Sequence, residues 1–314
     1  MATHAAAAAT HVLTYCFRKL PLISSSVKGT KKGDKEMISC KDVCKSFGDK
    51  KVLDKISFDV GEGVIVGLLG PSGAGKTTLI NIITGQLGFD EGSVSVMDKD
   101  VRKHKGSDKD KFGIMMDRLG LYERFTCFEN LKVFAEVYGI PKSRIMEALK
   151  EVGLEDAAKR KASDLSKGMR ARLLLARALM HDPKIIFLDE PTSGLDPKSM
   201  KSIHELILKK KKEGSTIFLT THNMDEATKL CDEVMLLNEG HIVERGRPDE
   251  LCRRYYHEKK VNVGLEDGRS LEFAPDSEKL FELLKAGKVE TIHSEEPTLE
   301  TIFLVLTGKV LEED

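Results

Sequence analysis

Nowhere in the 314 residues does an apolar run approach the ~18–20 positions that a membrane-spanning helix needs, so the sequence supplies no helix able to cross a bilayer. If the protein serves a membrane, the membrane part is another polypeptide. Net charge is lacking as well: 50 basic residues balance 50 acidic ones, so no global field draws the molecule to nucleic acid or to an anionic lipid surface. The six cysteines (16, 40, 44, 127, 231, 252) include no C-x-x-C pair and no metal-like His/Cys cluster. They read as reduced thiols of a cytosolic protein, without a function of their own. Acidic residues are missing altogether before Asp34. The segment 1–36 carries an Ala run and then Arg18, Lys19, Lys28, Lys31 and Lys32. It reads as a disordered extension, or as a start placed upstream of the true one at Met37, in preference to a targeting peptide, since its apolar stretch is short and no small-residue cleavage site stands out.

What is present from Met37 onward has the pattern of a folded domain. At roughly 100–200 residues per domain the length predicts one large domain and something smaller. Strand-like runs fall at 52–60 and 63–69, the second nearly all apolar and followed by Gly70, as suits a strand covered on both faces. Further runs at Lys184–Leu188, Thr216–Thr220 and Val234–Leu237 are separated by helix-like segments, which is the alternation of an α/β sheet. From about Thr126 to Met180 the periodicity is helical and no good strand is found, predicting an inserted helical subdomain. Lys209 to Lys212 end a predicted helix before Gly214 and read as a solvated face that complements the helix dipole. After about residue 248 a D-G turn within 265–269 and a helix opened by Pro297, with Leu299, Ile302, Phe303 and Leu306 on one face, predict a small α+β appendix.

Gly70-Pro71-Ser72-Gly73-Ala74-Gly75-Lys76-Thr77 fits the phosphate-binding loop G-x-x-x-x-G-K-[ST], between a buried strand and the helical run that starts at Thr78. Glycines let successive backbone N–H groups face phosphate oxygens, Lys76 reaches the β- and γ-phosphates, and the Thr77 hydroxyl is a magnesium ligand. The apolar run 185–188 then delivers Asp189, a second magnesium ligand, and Glu190, which can face an attacking water. Such a pairing leaves kinases, GTPases and helicase-like motors open. The residues between the two motifs narrow the choice.

Leu165-Ser166-Lys167-Gly168-Met169 lies before a strong helix and shortly before the acidic strand. There the sequence resembles the ATP-binding subunits of ABC transporters, whose signature in that place is L-S-G-G-Q. The resemblance spans about residues 37–245 and continues more weakly to the C-terminus. It implies that Leu165, Ser166, Lys167, Gly168 and Met169 close over the γ-phosphate held by a second subunit, that Ser193 and Asp196 belong to a loop crossing the dimer interface, and that His222 is the switch histidine. It also implies that Phe47 stacks on adenine and that ATP and Mg²⁺ are the cofactors. The family's glutamine after the strand preceding the helical subdomain is missing; Asp117 stands there, a shorter carboxylate for the metal and for coupling to the membrane partner. The segment 296–303 resembles the tail of exporters of the bacitracin- and lantibiotic-resistance kind.

The expected fold is therefore α/β: a P-loop NTPase sheet with an inserted helical subdomain at about 118–180, N-terminal antiparallel strands, and a small α+β appendix. The expected division is 1–36 extension, 37–247 ATPase domain and 248–314 C-terminal domain. The expected function is ATP hydrolysis that energises export through a separate polytopic permease, by a homodimer or paired ATPase subunit at the cytoplasmic face of the membrane, with no nucleic acid. A soluble ABC ATPase acting on another macromolecule is the alternative, though the doubled cassettes and long insertions of such proteins are absent. A non-hydrolysing cassette would be expected to lack Glu190.

Overall fold

The computed structural model describes residues 35–104, 111–116, 120–255, 260–295 and 297–308. The expected N-terminal extension falls outside them except for its last two residues, and Glu36 already belongs to a strand.

Two sheets share one core. An antiparallel sheet runs in the order β2 (Lys50–Gly61), β1 (Glu36–Phe47), β4 (Glu91–Val96), β5 (Lys99–Asp100). The second sheet runs β10 (His241–Gly246), β9 (Glu233–Asn238), β3 (Ile65–Leu69), β8 (Thr216–Thr221), β7 (Ile185–Asp189), β6 (Phe112–Met115), and only the β9–β10 pair is antiparallel. Every residue of β3, β7 and β8 is buried, as the apolar runs predict. Alternate side chains go to opposite faces. Val66, Leu68, Ile185, Phe187 and Phe218 pack toward the antiparallel sheet and α1 (Lys76–Ile83); Ile65, Leu69, Ile186, Leu188, Ile217 and Leu219 pack under helices on the other side. Because β3 sits between β8 and β9, chain order reverses beside it, and the crevice at the carboxyl ends of these strands is where α/β sheets take ligands.

The helical subdomain consists of α2 (Cys127–Tyr138), α3 (Lys142–Glu151) and α4 (Lys167–Leu179), with a core of its own that includes Leu131, Ile145, Leu149 and Leu173. Thr126 and Glu129 form a reciprocal capping box at the start of α2, and Gly139 closes it at φ 67°. Next come α5 (Pro197–Lys212), α6 (Met224–Leu230) and α7 (Pro248–Arg254). The end of α5 corrects the reading of its lysine run as a solvated face. Lys210 is buried and pairs with Glu213 at 2.7 Å, Asp182 at 3.5 Å and Glu151 of α3 at 3.9 Å, while Lys211 pairs with Asp232 at 2.5 Å.

The packing also differs from the expected division at residue 248. A three-stranded sheet, β12 (Ser270–Phe273), β11 (Lys260–Leu265), β13 (Val289–Glu295), packs with α8 (Glu278–Lys285) around Val261, Val263, Leu265 and Leu280. The flanking helices do not join it. Leu251 of α7 and Leu299, Ile302 and Phe303 of α9 (Leu299–Thr307) are buried in the same cluster as Ile203, Ile217 and Leu219 of the ATPase body. The α9 helix starts two residues after Pro297, behind an N-cap at Thr298, and stops at Gly308 as expected.

Candidate active site

The phosphate loop leaves the carboxyl end of β3 through Gly70, whose added Cβ would overlap the Leu237 carbonyl oxygen. Gly73 and Gly75 stand at φ 80° and 109°, where a side chain is strained. A Cβ on Gly75 would also meet Leu53 at 2.8 Å, so β2 forms one wall of the loop. The turn is closed by the Ala74 N–H donating to the Pro71 carbonyl at 3.2 Å, with Ser72 and Gly73 exposed at its crest. No side chain caps the start of α1, which leaves its first N–H groups for an anion. Lys76 is buried and curls back over the loop: its ammonium donates to the Gly70 carbonyl at 2.6 Å and the Pro71 carbonyl at 3.3 Å. Thr77 is exposed and Thr78 half-buried on the same first turn.

Asp189 ends β7 beside that turn. It accepts from the Thr77 hydroxyl at 3.1 Å and from the Thr220 hydroxyl of β8. Glu190 then leaves the strand at φ 49°, a left-handed conformation that costs a non-glycine residue about 1–2 kcal/mol. Its N–H donates to the Thr220 carbonyl at 3.0 Å. The carboxylate is thereby set between two basic groups, Oε1 at 3.3 Å from Lys76 Nζ and Oε2 at 2.8 Å from His222 Nδ1. A carboxylate so placed, partly shielded from water, can accept a proton from a nucleophile next to bound phosphate.

The signature residues form a second constellation. Ser166 caps α4, accepting from the Met169 N–H at 3.3 Å, while Leu165 is buried in the helical subdomain. Gly168 is pressed against α5, where an added Cβ would overlap the Ser199 hydroxyl and come within 2.8 Å of Ser199 Cβ. Lys167 Nζ lies so close to Gly194 that a Cβ there would overlap it, next to Ser193 in the loop that follows the acidic pair. Asp196 ends that loop as the cap of α5, accepting from the Lys198 N–H at 3.1 Å and the Ser199 N–H at 3.0 Å. Hydrogen bonds from Ser199 and Lys198 hold its carboxyl below the usual range. Phe47 sits half exposed at the tip of the β1–β2 hairpin, its ring 5.4 Å from the Lys45 ammonium. Asp117 lies outside the described residues.

Thr220 is a site residue that the sequence did not single out, although hydroxyls at 220 and 221 in an otherwise apolar buried strand are a signal. Among the described residues no cluster of three or more His, Cys, Asp and Glu could hold a metal alone. The Thr77 hydroxyl beside one carboxylate does fit magnesium, which takes few protein oxygens and completes its shell with phosphate and water.

A model of the ABC transporter family matches residues 53–193, from β2 through the acidic pair. The chain is 39% identical over 264 residues to a fluoroquinolones export ATP-binding protein of Mycobacterium tuberculosis, covering 82% of this chain and 87% of that one. This protein belongs to the ABC transporter family. The ABC subunit is also 32% identical over 311 residues to the linearmycin resistance ATP-binding protein of Bacillus subtilis, covering 88% of this chain and all of the other. With the Nod factor export ATP-binding protein I of Rhizobium etli it shares 34% over 313 residues, covering 91% and 99%. A dimeric, post-hydrolysis ATP-binding cassette bound to ADP and Pi superposes with a TM-score of 0.62 at 28% identity, covering 67% of this chain and 98% of that one. The ABC subunit is thus a bacterial-type ATP-binding subunit and an ATPase, as the resemblance implied. No helix among its described residues is long and apolar enough to cross a membrane.

Proposed function

We propose that this subunit drives export of a small molecule or peptide antibiotic through a separate polytopic permease, working as one of a pair at the cytoplasmic face of the membrane. The observation that carries the residue roles is the setting of Glu190 between Lys76 and His222, one residue after the Thr77–Asp189 pair. Lys76 and the N–H groups of Gly73, Gly75, Thr77 and Thr78 bind the phosphates, with Ala74 closing the turn between them; Phe47 stacks on the base. Thr77 and Asp189 hold magnesium, which when bound offsets the charge of the β- and γ-phosphates. Glu190 orients the attacking water and takes its proton, and His222 fixes that carboxylate while contacting the γ-phosphate. Ser166, Lys167 and Gly168 with the α4 N-terminus close the corresponding site of the other subunit. Export names among the relatives support the direction, and the permease selects the cargo.

Replacing Glu190 with Gln removes the proton acceptor and keeps the shape. ATP binding should persist while turnover drops by at least ~10²-fold, and near-normal turnover would remove Glu190 from its role. Inside-out vesicles holding the subunit with its permease should accumulate cargo only with ATP, and not with the Glu190→Gln subunit.

A further inference from the structure

Glu226 is almost fully enclosed, on a helix whose other inward residues, Met224, Ala227 and Leu230, are apolar. A carboxylate in such a place is costly unless each oxygen is satisfied. Here one is not: Oε2 is buried without a hydrogen-bond partner among the described residues. Oε1 carries both ties, accepting from the Thr192 hydroxyl at 2.6 Å and lying 3.0 Å from His204 Nε2. Local rules broken without packing benefit point to function.

Glu226 and its two partners come from the segments that must be held in step for hydrolysis. Thr192 is itself buried, two residues after Glu190, in a stretch of turns that leads to Ser193 and Asp196. His204 lies on α5, which that loop enters. Glu226 follows His222, and its N–H donates to the Asn223 side chain at 2.9 Å. Glu190, meanwhile, occupies a strained backbone position that surrounding contacts must maintain. We propose that Glu226 is a positioning residue: through the Thr192 hydroxyl it locks the loop after the acidic pair to the helix behind the switch histidine, fixing Glu190 against His222. This rests on the reading of Glu190 as the group that activates water.

The test uses the full chain with ATP and magnesium. Thr192→Val removes the hydroxyl at nearly constant shape, and Glu226→Leu removes the carboxylate. Each should lower kcat by about 10-fold or more with nucleotide Kd within 3-fold, read below the unfolding onset of every variant, because Thr192→Val leaves the buried carboxylate short of a donor and lowers the melting temperature. The double variant should be no slower than the worse single one, because both cut the same tie. Thr192→Ser should restore turnover to within 3-fold of wild type. Multiplicative losses in the double variant, or a Thr192→Val protein of normal turnover, would overturn the proposal. If Glu226→Leu fails to fold, the Thr192→Val and Thr192→Ser pair still decides it by kcat and nucleotide Kd at a temperature where both remain folded. Wild-type turnover that survives Glu190→Gln would instead defeat the underlying reading.

Discussion

A methyl group at Gly168 would overlap the Ser199 side chain of its own subunit, so this glycine is required by packing before any partner phosphate is considered. Two demands meet at one residue: close approach of the α4 start to the α5 start, and, in the proposed pair, an N–H left open to the facing subunit. Gly168→Ala is expected to destabilise the isolated, nucleotide-free chain by about 1–3 kcal/mol, the range for forcing extra volume into a packed contact. Thermal unfolding checks this, and an unchanged midpoint would leave only the role toward the partner. The phosphate loop, acidic pair and signature were legible because each is a contiguous string whose chemistry depends on neighbours in the chain. Thr220 and Glu226 were not. Their partners lie 31 and 34 positions away, at Asp189 and Thr192, and a buried Thr or Glu is written with the same letter as an exposed one.

At the scale of elements, α9 shows what periodicity does and does not specify. The stripe Leu299, Ile302, Phe303 is visible in the sequence, and all three are buried. A stripe states that a face is covered; it does not state by what. Chain proximity suggested the neighbouring appendix, yet α9 returns to α6 and α7 and closes the core under the parallel sheet. Phe303 is fully buried there, so Phe303→Ala should cost about 3–5 kcal/mol, through lost transfer energy and the cavity left behind. The loss should appear in the transition that reports nucleotide-protected unfolding of the ATPase body. A transition of the three-stranded sheet alone, with the ATPase body unaffected, would separate α9 from that core. The lysine run teaches the same lesson, since Lys210 is buried among Glu213 one turn on and Glu151 and Asp182, which are distant in sequence. Lys210→Met should weaken the seam between α3 and α5 by about 1–2 kcal/mol. That is less than for a fully enclosed pair, because its carboxylate partners are partly exposed and screened.

For the whole molecule, the two constellations define the working unit. Lys76 reaches Glu190, while Ser166 is occupied as the cap of α4 and Gly168 faces α5. The signature end and the phosphate loop are supported by different parts of the fold: the first by the helical subdomain and α5, the second by β3, β7 and β8. In the proposed pair, related by a two-fold axis, each signature would lie over the other subunit's loop and two chains would build two composite sites. Glu190→Gln protein with ATP should therefore sediment as a dimer, and a monomer under those conditions would count against the pairing. Complementation is the sharper test. Lys76→Ala removes the phosphate contact of its own loop but leaves its signature intact; Ser166→Arg blocks its signature but leaves its loop intact. Each variant alone should be inactive. In an equal mixture half of the dimers are mixed, and each mixed dimer keeps one site of two, so independent sites give roughly a quarter of wild-type turnover. Recovery well above both variants establishes that the signature acts in trans. Activity of Ser166→Arg alone at wild-type level would show that the phosphate loop completes its site without the partner.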